Sequence, residues 1–385
     1  MPLCPRYEPV ENVRKIAVLR AGGLGDSVFT LPALRALRET YPGAEITLLG
    51  GPIQTELLSG RPGPPDRAIT VPPSTGVNGP DTGVDEDEEE LERFFANMRK
   101  ERFDLALQMH GGGGYSNPFV RRLGARVTAG ARASGAPPLD RTVPYVYFQS
   151  EYLRHLEVAG LLGARTANLE PRLQVTKEDL AEAGGAVPEG DDPLVALHPG
   201  AGDKRRRWPS EKFAAVGDAL AKAGAHVAVV GVEEDGPLIS GIVDTMKRDA
   251  LDLCEQLSLG GLAGLLSRCA VVVSNDSGPL HLATAVGAAT VGIFWGPNFI
   301  NAGPPMRARH RPALSWRTNC PVCDVTLFND SGCGHWASIV ADVESEEVAN
   351  FALSLLASEP PFQSREADSQ AVPSARIQPG TSPAD

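Results

Sequence analysis

Ile16-Ala17-Val18-Leu19-Arg20-Ala21-Gly22-Gly23-Leu24-Gly25-Asp26-Ser27 is the stretch that decides the fold class. Its first five residues form an apolar run too short for a helix, and three glycines then crowd a tight turn. The next segment, to about Thr40, carries Leu31, Leu34 and Leu37 at helical spacing. Tyr41-Pro42-Gly43 stops that helix, and Glu45-Ile46-Thr47-Leu48-Leu49 reads as a second strand. Strand, Gly-rich turn, helix, strand predicts a parallel sheet buried on both faces. The same rhythm returns at Leu194-Val195-Ala196-Leu197-His198, followed by Pro199-Gly200-Ala201-Gly202 and a helix over Ser210–Gly224. It returns again at Ala270-Val271-Val272-Val273-Ser274, which leads into Asn275-Asp276-Ser277-Gly278-Pro279. The chain therefore reads as two α/β halves: residues 1–183 and 193–358, with a linker over 184–192. Gly124 to Val146 reads as irregular, and the five prolines beyond Glu359 predict a disordered tail over 359–385.

Composition narrows the function. A chain of 385 residues suits two domains and can bury a core without disulfides. With 41 Gly and 33 Pro it is turn-rich. No apolar run reaches the roughly 20 residues of a membrane span, and the first residues lack the apolar core of a signal peptide. Six cysteines without such a signal fit a reducing cytoplasm. The net charge is −12, and eight acids without a base fall between Asp81 and Glu92. That balance argues against nucleic acid as a partner. Lys204-Arg205-Arg206-Arg207 stands out against it and suits either an anionic ligand or a solvated face.

In parallel sheets, ligands sit beyond the carboxyl ends of the strands. Gly22, Gly23 and Gly25 let a backbone bend tightly and let a ligand approach it. Asp26 is either the cap of the following helix or a carboxylate held in the cleft to take a proton from a hydroxyl. The turn after His198, with Gly200, Lys204 and Arg206, can bind an anion through N–H groups and guanidinium. At Asp276-Ser277-Gly278-Pro279, proline suits the first helical turn and leaves N–H groups at its positive end. His281 lies over the same helix face as Ser277, four residues on. Glu234, after Gly231, could accept from ribose hydroxyls, as in dinucleotide folds, or be an ordinary acid at a helix start. Cys320, Cys323 and Cys333, with His335 close by, have the residue types of a tetrahedral zinc site, against free thiols in a loop.

Together these motifs resemble glycosyltransferase family 9, the ADP-heptose:lipopolysaccharide heptosyltransferases, over roughly residues 14 to 355. The resemblance rests on Gly25-Asp26 with Leu31-Pro32-Ala33-Leu34, on His198-Pro199-Gly200-Ala201 with Arg206-Arg207-Trp208-Pro209, and on Asn275-Asp276-Ser277-Gly278-Pro279-Leu280-His281-Leu282-Ala283. It implies a GT-B fold, two Rossmann-like domains facing across a cleft, with the acceptor on the N-terminal side and the nucleotide-sugar donor on the C-terminal side. It implies an inverting, metal-independent transfer from ADP-L-glycero-D-manno-heptose to a glycan or glycolipid, by a cytoplasmic enzyme in peripheral contact with the inner membrane face; the alternatives are a GT-B transferase using another nucleotide sugar for a different glycan or natural-product acceptor, or a catalytically silent binding homologue. No cofactor is required in that reading, and a zinc at the cysteines would be structural. Asp26 matches the family's proposed general base, and Asp276, Ser277, Gly278 and His281 its donor segment. The family usually has lysine two residues before the tryptophan. Here that position is Arg206, which keeps the charge but changes the geometry.

Overall fold

Four of the five residues in Lys15–Leu19 are fully buried, which an apolar strand achieves only with neighbours on both sides and helices on both faces. The computed structural model, which describes residues 7–80, 82–328 and 333–358, shows that arrangement twice. The first half contains β1 (Lys15–Leu19), α1 (Leu24–Thr40), β2 (Glu45–Gly50), α2 (Pro52–Leu58), β3 (Arg67–Thr70), α3 (Glu88–Glu101), β4 (Leu105–Gln108), α4 (Ser116–Arg122), β5 (Val127–Arg132), β6 (Arg141–Pro144) and α5 (Glu151–Gly160). Its strands lie in the order β3-β2-β1-β4-β5-β6, every pair parallel.

The second half adds α6 (Lys177–Ala186), β7 (Leu194–His198), α7 (Ser210–Lys222), β8 (His226–Gly231), α8 (Gly236–Thr245), β9 (Ala250–Cys254) and α9 (Leu259–Arg268). It closes with β10 (Val271–Asn275), α10 (Gly278–Ala285), β11 (Ala289–Trp295), α11 (Gly296–Ala302), β12 (His310–Ser315) and α12 (Ser345–Leu356). Its sheet order, β12-β11-β10-β7-β8-β9, is the first order repeated, again all parallel. In this doubly wound order, adjacent crossovers run in opposite directions between β1 and β4 and between β7 and β10. A crevice opens at those two points.

The halves press together where α1 meets α10. A Cβ on Gly278 would stand 2.7 Å from Leu24 Cβ, and one on Gly25 would stand 2.9 Å from the His281 ring. The Phe29 and His281 rings meet edge to face at 4.6 Å. Val28 and Leu31 of α1 share one buried apolar cluster with Leu282 and Ala283 of α10. Glycine at 25 and 278 is therefore what lets the carboxyl ends of the two sheets approach.

Two expectations need correction. The stretch from Gly124 to Val146 is not irregular: it holds β5 and β6, and the small residues of β5 and the edge position of β6 hide the strand pattern. Residues 184–186 are the last turn of α6, which packs on α9 of the second half, and Leu173 N–H already bonds Ala285 O at 2.9 Å. We therefore place the crossing between the halves before α6, ahead of residue 184. Helix α12 buries Val348, Ala352 and Leu355 against its own sheet and α7. Asp81 and the 359–385 tail lie outside the described residues. Among those described, no helix is long and apolar enough to cross a membrane.

Candidate active site

The first crevice is built on the turn after β1. Helix α1 starts at Leu24 with Gly23 as its cap residue, so Asp26 stands at the third helical position and closes a capping box from inside the helix. From there its Oδ2 accepts the Gly23 N–H at 2.7 Å. Gly22 has φ +109°, and a Cβ there would collide with the Asp26 carboxylate at 2.3 Å, so both the turn and the carboxylate need glycine. The other Asp26 oxygen takes a hydrogen bond from Arg20, the last residue before the turn. Arg20 is buried and also faces Glu151 at the start of α5, at 3.6 Å. Glu151 pairs in turn with Arg154, and His155 Nε2 lies 3.4 Å from it. Burial, with Arg20 nearby, holds His155 well below the ordinary histidine range and His110 down at about 4, so both are neutral at pH 7.

The second crevice joins the turns after β7 and β10. Asn275 ties them together: its amide donates to Pro199 O at 2.7 Å and accepts the Trp208 N–H at 3.1 Å. Trp208 is buried beneath. His198 lies with Nδ1 3.2 Å from the hydroxyls of both Ser274 and Ser277. Burial, with Arg207 near, pushes it down to about 4. Asp276 is buried and receives Arg206 and Asn298, each at 3.0 Å, with His281 Nε2 at 3.3 Å. Burial pushes its carboxyl up, but the hydrogen bond from His281 and the charges and bonds of its other partners prevail. The carboxyl rests below its ordinary value. Ser277 is the cap residue of α10, whose first-turn N–H groups have no helical partner.

The basic run divides its labour. Arg205 pairs with Asp203 in its own turn, Arg206 reaches Asp276, and Arg207 reaches Ala201 O and Asp235, while Lys204 is exposed. Glu234 is exposed in the turn after β8, and the buried carboxylate there is Asp235. Asp235 faces Gly200, where a Cβ would stand 2.3 Å from its Oδ2. Burial pushes Asp235 above the ordinary carboxylate range against the pull of Arg207. Sequence reasoning thus passed over Arg20, Glu151, Asp235 and Asn298. Arg20 alone carried a signal, as the polar end of an apolar strand.

The cysteine loop lies apart from both crevices in the chain, after β12. The donor atoms of Cys320, Cys323, Cys333 and His335 all lie within 4.8 Å of one another. Cys320 is buried, and Cys323 and His335 are exposed.

The family model for glycosyltransferase family 9 (heptosyltransferase) matches residues 91–325, well over half of the chain. The chain belongs to glycosyltransferase family 9. It is 30% identical over 122 residues to "Lipooligosaccharide heptosyltransferase 2" of Haemophilus influenzae, a match covering 30% of this chain and 35% of that relative. It is 24% identical over 312 residues to "Lipopolysaccharide heptosyltransferase 2" of Salmonella typhimurium, covering 77% of this chain and 87% of the relative. The solved structure of E. coli "ADP-heptose lps heptosyltransferase II" superposes with a TM-score of 0.67 at 18% identity, over 89% of this chain and 98% of the other. The two parallel six-stranded sheets of this family member are those of a GT-B fold.

Proposed function

We propose that the protein is an inverting glycosyltransferase that moves the heptose of ADP-L-glycero-D-manno-heptose onto a hydroxyl of a glycan or glycolipid acceptor of lipopolysaccharide-core type. One observation carries this reading. Each crevice holds a carboxylate–guanidinium pair, and the two pairs are buried the opposite way round. In the first, the Arg20 side chain is 9% exposed and that of Asp26 33%. In the second, Asp276 is 4% exposed and Arg206 25%. The N-terminal crevice thus presents an anion to its ligand and the C-terminal crevice a cation. The first suits removal of a proton from an acceptor hydroxyl, and the second suits a diphosphate.

In the reaction, Asp26 takes the proton of the acceptor hydroxyl, and that oxygen attacks the anomeric carbon from the face opposite the diphosphate. The bond from that carbon to the diphosphate oxygen breaks, and ADP leaves with the electron pair. Arg206, the neighbouring Lys204 and the N–H groups heading α10 meet its charge. His198 and Gly200 shape the floor under the donor, and His281 fixes Asp276 while touching the acceptor domain through Phe29. Glu234, on the rim, is offered to the donor's ribose. The names of the relatives support the sugar, and the ADP-heptose in the name of the E. coli structure supports the base. The five free cysteines among the described residues suit a reducing cytoplasm. The acceptor's lipid end would bring the enzyme to the inner membrane face. A metal at the cysteine loop is structural in this reading.

The test incubates purified protein with ADP-heptose and a heptose-free lipopolysaccharide core, alongside UDP- and GDP-sugar controls. A product heavier by one heptosyl residue, with ADP released only when acceptor is present, is expected. Transfer from another nucleotide sugar alone, or ADP release without transfer, overturns the reading.

A further inference from the structure

We propose that Cys320, Cys323, Cys333 and His335 bind one zinc ion, and that this zinc makes the 316–328 loop a strut between the two domains at the mouth of the cleft. The metal part stands independently of the transferase reading.

Residues 318–327 form a small hairpin. Asn319 pairs with Thr326, Cys320 N–H bonds Val325 O at 2.8 Å, and Leu327 N–H bonds Thr318 O at 2.9 Å. An isolated two-stranded hairpin is marginal in water. This one has little core to lean on: Trp316, Val322, Val325, Phe328 and Trp336 are all exposed. Something other than apolar burial must hold it. Its tip carries Cys320 and Cys323, and the chain returns with Cys333 and His335 to the same point. A tetrahedral zinc with bonds of about 2.3 Å to sulfur and about 2.0 Å to nitrogen sets its ligand atoms roughly 3.5–3.8 Å apart. The Cys320 Sγ to His335 Nδ1 distance is 3.7 Å, and the whole set lies within 4.8 Å. The Val322 N–H points at Cys320 Sγ at 3.4 Å, as suits a sulfur that carries negative charge. Three thiols would release their protons to solvent as the metal enters, and His335 would bind as neutral imidazole. Three sulfurs and one nitrogen in a closed tetrahedron favour zinc and leave no position for a reacting water.

The hairpin ends at Phe328, which touches both domains. Its ring lies 6.0 Å from Trp295, at the end of β11, and 6.4 Å from Phe148, in the loop before α5. Trp295 is itself fastened to the hairpin stem through Arg317 O at 2.6 Å. The loop of Phe148 is held by Arg154, which donates to Val146 O and Tyr147 O at 2.6 and 2.9 Å. Arg154 pairs with Glu151, which faces Arg20, the partner of Asp26. The strut thus ends on the loop that flanks the N-terminal crevice.

The test uses the full chain, purified under reducing conditions without added metal, and needs no sugar substrate. Elemental analysis is expected to show about one zinc per chain, lost in a Cys323→Ser, Cys333→Ser double variant and reduced by His335→Ala. Cobalt in place of zinc is expected to give sulfur-to-metal charge-transfer bands and a tetrahedral d–d spectrum. Hydrogen exchange is expected to quicken in both 316–328 and 145–150 when a chelator removes the metal. Phe328→Ala, which leaves the ligands intact, is expected to keep the zinc and quicken exchange at 145–150. Iron in place of zinc, a disulfide among the three cysteines, or failure to retain one added equivalent overturns the site. Unchanged exchange at 145–150 in the chelated protein and in Phe328→Ala overturns the strut.

Discussion

Replacing Asp26 by asparagine separates the two tasks this side chain could have. As a proton acceptor it should be worth about 10²–10⁴ in rate, or roughly 2.7–5.5 kcal/mol of the barrier. As a support for α1 it accepts one N–H, from Gly23 at 2.7 Å, and one guanidinium, from Arg20. Asparagine keeps one acceptor oxygen, so one of these bonds survives and an NH2 group is turned toward the other donor. Glu151 remains within 3.6 Å of Arg20 and keeps that buried cation partnered. Losing a bond of this kind should cost about 1–3 kcal/mol of stability. Asp26→Asn is therefore expected to fold, to unfold at a moderately lower temperature and to lose at least a hundredfold in kcat/KM. ADP affinity should barely move, because the crevice proposed for the donor lies on the other sheet. Coupled ADP-release kinetics, a thermal melt and a calorimetric ADP titration read the three quantities separately. Turnover within tenfold of wild type, with the melting temperature lowered, would mean that Asp26 only supports the helix, and the base assignment would be refuted.

Three further outcomes are expected. Arg206→Ala should weaken ADP binding by about 10–100-fold, the worth of a charge-assisted contact, with a smaller loss at high salt; an unchanged calorimetric titration would pass the role to Lys204 or Arg207. Gly278→Ala should cost about 1–3 kcal/mol of stability by overpacking, because its Cβ would meet the fixed Leu24 Cβ at 2.7 Å; a melt identical to wild type would show that the domains stand further apart. Burial holds His110, His198 and His310 down at about 4, aided by Arg20 at His110, Arg207 at His198, and Arg309 and Arg311 at His310. Above about pH 6.5 both folded and unfolded chains keep these rings neutral; below it only the unfolded chain takes up the protons, at about 1.4 kcal/mol per ring per pH unit. Stability should thus fall as the pH drops from 6.5 toward 4, and a urea midpoint that stays flat between pH 7 and 5 would contradict this.

The parts of the fold that could be read from sequence were those with strong local chemistry. β1, β7 and β10 are buried on both faces and must be apolar throughout, so Ile16–Leu19, Val195–Leu197 and Val271–Val273 declare themselves. Gly22 and Gly200 stand where a carboxylate leaves no room for a Cβ, so a Gly turn after a strand marks the crevice. β5, with Ala129-Gly130-Ala131, could not be read in that way. Gly130 packs against Gln108 and Leu139, so a small residue there answers a distant partner and not the strand itself. α6 carried a capping box at Thr176 and Asp179, which marks a helix start but not the domain it joins. That was decided by Gly264 of α9, 85 residues away in sequence, pressing on the Asp179 backbone, while the Asp179 side chain reaches back to Arg61 of the first half, 118 residues away.

For the site, residue types were legible and exposure was not. Asp26 and Asp276 each lie after a strand end, within or just before the first turn of the next helix, and each has an arginine for a partner. On sequence alone they are the same feature twice. What differs is which partner the fold buries. Arg20 lies on the strand side of its turn, so the sheet and α5 enclose it, and Asp26, on the first turn of α1, is left facing the crevice. Asp276 is the one close to its strand, roofed by His281 and Asn298, and Arg206 reaches it from a surface turn. Burial order follows from which residue sits nearer the sheet. Gly22 holds the first arrangement in place, because it lies against the Asp26 carboxylate where no side chain could fit. The difference between an anion-presenting half and a cation-presenting half of one repeated fold thus rests on turn geometry more than on composition.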